Sequence, residues 1–301
     1  VLDEFKNAFQ RPNNAHIQLI IINVAVFVVL AVFFVVLTAS GLSDVFDTIH
    51  RQLAIPAPLF SFIAKPWTII TYAFVHDLSG IFHILFNMLA FYWFGKLFVE
   101  YLGSDKLTAL YVLGAITGAF FYLLIYNTLP FYQTRVPVEG MVGASAAVYA
   151  VLVATATLLP DYTFFLLFFG PVRIKYIAWI YIVISFLGAV GPNAGGNVAH
   201  LGGALIGYVY IKQLQVGVDW GGWITAVLEW TKNLFKPSPK VKVSYRKKET
   251  VTSSAAKTAS QSFSKTTQEE IDAILDKISE RGYESLSKEE KEKLFNASKK
   301  Q

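Results

Sequence analysis

The sequence predicts an all-α membrane protein: six transmembrane helices in one bundle, followed by a soluble C-terminal helical hairpin. Three observations predict it. Hydrophobic residues make up 54% of the 301 and charged residues 16%, against about 25% charged in soluble domains. Apolar runs long enough to cross a bilayer recur between polar, Pro-containing connections. The charge is also segregated. Residues 1–211 hold nine Lys/Arg and nine Asp/Glu, while residues 212–301 hold seventeen and twelve, so the tail supplies the whole net charge of +5. A basic tail beside a membrane favours contact with anionic lipid, and no nucleic-acid-binding motif accompanies the charge. The chain has no cysteine, which excludes disulfides, thiolate nucleophiles and Cys-ligated metals.

Residues 1–16 form a polar N-terminal segment. Ile17–Leu37 is an uncharged run of spanning length, too long for the apolar core of a signal peptide, and reads as an anchor helix. Residues 39–80 hold Pro56, Pro58, Pro66 and Trp67 and are too interrupted to span, so they are expected as a loop at the interface. The second span is Ile81–Phe98. The third is Leu107–Tyr126, with Gly114 and Gly118 at a close-packing spacing. After a loop over 127–142, the fourth span runs from Gly143 to Leu159, with Ser145 about one turn in. Residues 162–175 read as a partly apolar loop, Tyr176–Val190 as the fifth span and Asn197–Ile211 as the sixth.

Six spans put both termini on one face. The Lys/Arg excess on that face makes it the expected cytoplasmic side, with the start of Ser145's helix on the outer side. Residues 212–236 carry tryptophans at helical spacing, as an interfacial amphipathic helix does. Residues 237–265 read as a flexible linker. Residues 266–301 form a small helical module, with capping boxes at Thr267/Glu270 and Ser287/Glu290. Its core is expected from Ile271, Ile274, Leu275, Ile278, Leu286, Leu294 and Phe295, and its partner is unknown.

Within the spans, the ionisable side chains of note are His83 and His200, and such residues are functional candidates by default. His83 and Asn87 are four apart and share a helix face, so two donors converge as an oxyanion site requires. Ser145 and Tyr149 are also four apart, which puts the tyrosine ring within reach of an imidazole one turn deeper. Gly196, His200, Gly203 and Gly207 make a helix face that is bare except for one imidazole. Small residues let helix backbones approach closely, and the start of the Ser145 helix is small too. Ser145 as nucleophile, His200 as base, and His83 with Asn87 as oxyanion donors complete a serine hydrolase. No carboxylate lies in the spans to orient the histidine, so the expected unit is a dyad. No metal site and no cofactor is expected: His-Glu-x-x-His and Gly-x-Gly-Asp are both absent.

The chain resembles the rhomboid intramembrane serine proteases. The resemblance rests on His83-Ile84-Leu85-Phe86-Asn87, on Gly143-Ala144-Ser145-Ala146 with Tyr149, and on Ala199-His200-Leu201-Gly202-Gly203 with Gly207. Phe74-Val75-His76 and Leu102-Gly103-Ser104 also fit. It implies a six-helix bundle around a water-filled cavity, and hydrolysis of peptide bonds in or near transmembrane segments. The partners implied are transmembrane protein substrates and membrane lipids. By the same resemblance Tyr149 packs on His200, and Gly143, Gly203 and Gly207 support the site. Two positions depart from the family pattern. Ala146 stands where the serine motif usually ends in glycine, and the expectation is that its methyl, beside the nucleophile, crowds the oxyanion pocket. Thr68 follows Trp67 where the interfacial loop usually carries arginine. The competing reading is a catalytically silent relative that binds client transmembrane helices. Such relatives generally lack the serine or the histidine, and this chain has both.

Overall fold

The computed structural model describes residues 8–78, 80–133, 140–234 and 261–298. The chain divides into two compact units, Val1–Pro237 and Ser238–Gln301.

In the first unit, helix α1 spans Ala15–Ala39, and α5 runs from Ile81 to Thr128. These two helices are long and apolar enough to cross a bilayer, and shorter apolar helices occupy Ser145–Leu158 (α7) and Ile174–Gly188 (α8). The two helices expected over 81–126 are both present and meet without an intervening loop at a kink at Gly103, where φ is 82° and ψ 170°, a backbone conformation that costs an L-residue its Cβ clearance. The chain reverses direction there. In the first arm, Asn87 lies beside the start of α7, and the carbonyl of Phe94 accepts from Thr155 near its end. In the second arm, Gly114 packs on Ala147 and Ala150, and Gly118 on Ala146. The arms therefore run antiparallel along one neighbour.

Helix α7 is the centre of the unit. Every residue from Ser145 to Ala156 is buried, as expected of a helix that is small and apolar on all faces. It packs between α5 and α9, which spans Ala194–Gln215. Methyls added at Gly203 and Gly207 would run into the carbonyl oxygens of Ala146 and Ala150. Two glycines four apart thus meet two alanines four apart, and the backbones touch without intervening side chains. Helix α1 packs on the second arm of α5, where Asn23 Nδ2 donates to the Tyr111 hydroxyl at 3.0 Å. The far side of α1 is apolar and exposed, with Val28, Val32, Val35 and Val36 facing out.

The connections hold more structure than their composition predicts. Residues 39–80 fold into an amphipathic helix α2 (Ser43–Leu53), strand β1 (Ile55–Pro56), and short helices α3 (Leu59–Ala64) and α4 (Thr68–Thr71). A 3₁₀ turn at Tyr72–Phe74 completes the segment. Strand β1 pairs with β2 (Gly140–Met141), just before the α7 start. Between β1 and β2 in the chain, α6 covers Pro130–Gln133. The expected loop over 162–175 is an antiparallel hairpin, β3 (Thr163–Leu166) with β4 (Gly170–Arg173). Its tip exposes Phe165, Leu167, Phe168 and Phe169. The period-two alternation that makes this hairpin is masked in sequence by unbroken apolarity.

Helix α10 (Gly222–Leu234) buries Ile224 and turns Trp223 and Trp230 outward. In the second unit, α11 spans Gln261–Arg281, α12 spans Lys288–Ser298, and Gly282 breaks the chain between them at φ 78°. The helix begins at Gln261, so Thr267 lies inside it rather than at a cap, and residues 261–265 are not linker. The rest of the expected linker, and the N-terminal segment up to residue 7, lie outside the described residues. The Ser287 capping box forms: the Ser287 N–H donates to Glu290 Oε2 at 2.7 Å, and the Glu290 N–H to Ser287 Oγ at 3.3 Å. Ile274 and Leu286 are buried, whereas Leu275 and Phe295 are exposed. Two short helices have too few partners to cover the whole expected core.

Candidate active site

Ser145 is the first residue of α7, not one turn inside it. The preceding segment sets this boundary. Gly143 holds φ at 135°, and its N–H donates to the Tyr72 carbonyl at 2.9 Å, tying the approach to the 3₁₀ turn at Tyr72–Phe74. Starting a helix at Ser145 leaves the N–H groups of its first turn without intrahelical acceptors. It also places the positive end of the helix dipole at the hydroxyl. A methyl at Gly143 would sit 3.6 Å from Ser145 Oγ and 3.7 Å from His83 Cε1, so the His83 ring reaches the same spot.

His200 is carried to this point by the glycine contact between α9 and α7. Its Nε2 lies 2.7 Å from Ser145 Oγ. Tyr149 stacks on the imidazole, with ring centroids 4.2 Å apart and planes 12° from parallel. The other ring nitrogen is also engaged: Nδ1 lies 3.1 Å from the hydroxyl of Ser185 on α8. Ser185 donates to the Tyr149 hydroxyl at 2.8 Å, and Tyr149 to the Tyr181 carbonyl at 3.3 Å. Ser185 is fully buried. Ser185 is not among the site residues expected from sequence; its one signal there is that it is a lone serine in an otherwise aliphatic and aromatic span.

Ser145, His200, His83, Asn87 and Tyr149 line one cavity of about 350 Å³, together with Asn193 at the start of α9. Ser145 and His200 are each 9% exposed, and the Asn87 amide nitrogen is buried with no hydrogen-bond partner. A buried donor left unsatisfied costs about 1–3 kcal/mol, so this amide is a ready donor for an oxygen entering the cavity. Gly203 and Gly207 lie behind the site, in the α7–α9 contact, and do not line the cavity.

Both sequence departures have a structural account. The Ala146 methyl faces the second arm of α5, where a Cβ at Gly118 would come within 2.5 Å of it. It is 1% exposed and points away from the cavity, so the pocket is not crowded. Around Thr68, other bonds tie the loop. Trp67 Nε1 donates to the Gln52 carbonyl at 2.8 Å, the Thr68 hydroxyl to Lys65 at 2.7 Å and the Thr71 hydroxyl to Leu53 at 2.8 Å. Just before α5, the fully buried His76 packs edge-on against His83, with ring centroids 5.9 Å apart. Burial, with the neighbouring His83, pushes its imidazole down to about 4, so His76 is neutral at physiological pH.

Comparison with known proteins identifies the family. A Rhomboid domain model matches residues 64–215, and a family of unknown function (DUF6576) matches residues 264–300. RHOMBOID-like protein 12, mitochondrial, of Arabidopsis thaliana is 32% identical over 160 residues, 50% of this chain and 47% of that protein. Rhomboid protein 1, mitochondrial, of Saccharomyces cerevisiae is 33% identical over 168 residues, 52% of this chain and 44% of that protein. Rhomboid protease GlpG of Haemophilus influenzae is 32% identical over 148 residues, 49% of this chain and 69% of that protein. The chain thus spans about half the length of the two mitochondrial relatives. The matched segment carries Ser145, His200, His83 and Asn87 together, and by that match the chain belongs to the rhomboid family of membrane proteins.

Proposed function

We propose that the protein is an intramembrane serine endopeptidase that cleaves transmembrane protein substrates in or near their spanning segments. The observation that carries this reading is the 2.7 Å contact between Ser145 Oγ and His200 Nε2 at the wall of a cavity. For Nε2 to accept the serine proton, Nδ1 must hold the other proton. Ser185 then accepts from Nδ1, donates to Tyr149, and Tyr149 donates to the Tyr181 carbonyl. Each hydroxyl in that chain has one proton to give and one to take, so the chain selects a single imidazole tautomer without a carboxylate.

In the reaction, Ser145 Oγ attacks the scissile carbonyl as its proton passes to Nε2. The oxyanion meets the Asn87 amide, His83 and the Ser145 N–H, with the helix dipole behind them. The imidazolium returns its proton to the leaving amine. Water, activated by the same nitrogen, then hydrolyses the acyl-enzyme.

The spanning topology belongs to this proposal. The run of directions through α1, the two arms of α5, α7, α8 and α9 supports six crossings, with Gly103 as the turn between the second and third. The exposed valines of α1 and the apolar tip of the β3–β4 hairpin are favourable against hydrocarbon and costly in water. The Lys/Arg excess favours both termini on the cytoplasmic side of an inner membrane, with residues 266–301 as a soluble module on that side.

A fluorophosphonate probe tests the reading directly. It should label wild-type protein at Ser145, and Ser145→Ala and His200→Ala should each abolish cleavage of a model transmembrane substrate while leaving the fold intact. A chain that binds such substrates but takes up no probe would be a silent client-binding relative instead. His83→Ala and Asn87→Ala should each lower kcat on the order of 10–1,000-fold.

A further inference from the structure

A second cavity is larger than the one that holds Ser145. It lies between α7, α8 and α9 at the opposite end of these helices, near Pro160, and measures about 620 Å³. That volume is in the range of sites that hold small molecules and cofactors. Its floor is apolar and buried, with Ala156, Ala178 and Ala204. Its lips, Trp179, Leu205 and Tyr208, are about half exposed or more, so it opens sideways. Two cations, Lys175 and Lys212, stand at one end. Lys175 pairs with Asp161 at 2.7 Å, but Arg173 takes the same carboxylate oxygen at 3.2 Å. Among the described residues, Lys212 reaches neutral groups, Gln215 Oε1 at 3.3 Å and the face of Tyr208 at 5.8 Å. The mouth is therefore net positive, while the walls are mostly apolar.

We propose that this crevice binds one anionic phospholipid of the cytoplasmic leaflet, its phosphate between Lys175 and Lys212 and an acyl chain laid between Trp179 and Leu205. A basic pocket between spanning helices on the cytoplasmic side is the chemistry that recognises acidic lipid headgroups. An apolar cavity of this size is a poor place for water. The placement rests on the membrane topology proposed above. The lipid also reaches the site through packing. Ile182, in its wall, is one turn from Ser185 on α8, and Leu201 adjoins His200 on α9. A chain wedged here sets the spacing of α8 and α9, and with it the 3.1 Å contact that orients the imidazole.

The test uses the full chain in nanodiscs and in native mass spectrometry. Phosphatidylglycerol should be retained one to one, and phosphatidylcholine of the same chains should not. Brominated-chain phosphatidylglycerol should quench the emission that Trp179→Phe removes. Lys175→Gln with Lys212→Gln should weaken retention roughly tenfold or more, and Leu205→Trp should block it by filling the crevice. Anionic lipid should raise kcat with KM little changed. Equal retention of the two lipids, unaltered binding in both variants, or one-for-one displacement by a substrate peptide would each overturn the proposal. Because retention needs no cleavage, it is measured on Ser145→Ala protein. Lipid retention by Ser145→Ala protein, with a wild-type chain that takes up no fluorophosphonate and cleaves no substrate, would sink the protease reading and leave the lipid site standing. The chain has no native cysteine, so Gln215→Cys labelled from the outer side by an impermeant maleimide would overturn the leaflet assignment alone.

Discussion

The side chain with the most to say about His200 is Ser185, because it occupies the ring nitrogen that Ser145 does not. Removing its hydroxyl leaves the Tyr149 stack in place but frees the tautomer. Losing one neutral hydrogen bond is worth about 1.4 kcal/mol or less, so Ser185→Ala should lower kcat by up to about tenfold and leave KM unchanged. Tyr149→Phe keeps the 12° stacking and breaks the chain one link further away, so its kcat should fall less than that of Ser185→Ala. A larger loss in the tyrosine variant than in the serine variant would show that the stack, not the hydroxyl chain, orients the base. Ala146 makes the opposite point. It adjoins the nucleophile in sequence, yet its methyl fills the hollow over Gly118. Ala146→Gly should leave kcat near wild type and cost about 1 kcal/mol of stability through helix propensity, read by thermal denaturation in detergent.

At the scale of elements, the site is made by how closely three helices approach. Gly118→Ala would bring a methyl against the Ala146 methyl and within 3.1 Å of the Ala199 carbonyl. Overpacking of this kind costs about 1–3 kcal/mol, and here it presses on both helices that carry the dyad. Gly203→Ala is more severe, because the obstacle is the backbone carbonyl of Ala146, which has no rotamer to change. The helices must part, and a displacement near 1 Å at the reacting atoms is worth about 100-fold in rate. Helix content by circular dichroism should persist in Gly203→Ala while cleavage is lost. Unaltered turnover would show that α7 and α9 can yield without separating Ser145 from His200.

For the whole molecule, the division between Pro237 and Ser238 separates the site from the tail. Deleting 238–301 should leave turnover of a detergent-solubilised substrate unchanged, and loss of activity would make the tail part of the enzyme. The tail has its own pH response. Lys277 and the Ser287 cap hold the Glu290 carboxyl down to about 2 from 4.5. A depressed carboxyl stabilises above its unfolded value and loses that contribution as pH falls through the folded one. The α11–α12 bond should therefore be intact at neutral pH and weaken between about 4.5 and 2, as the Ser287 amide resonance would report.

Much of this is legible in the amino-acid sequence. Length and apolarity locate the helices, the charge asymmetry suggests their orientation, and spacing puts His83 with Asn87, Ser145 with Tyr149, and the glycines with His200. Each of these depends on neighbours within one helix, where the period is known in advance. The β3–β4 hairpin was hidden because an unbroken apolar run carries no period to read. Contacts between helices carry no such period either. Nothing along the chain says that Ser185 meets Nδ1, that the Ala146 methyl turns to Gly118, or that a crevice opens between α8 and α9. Those outcomes follow from rotation and separation of packed helices, which are settled by the volumes of all the residues in the contact together. The residue types for the chemistry are written in the chain, and the distances between them are set by packing.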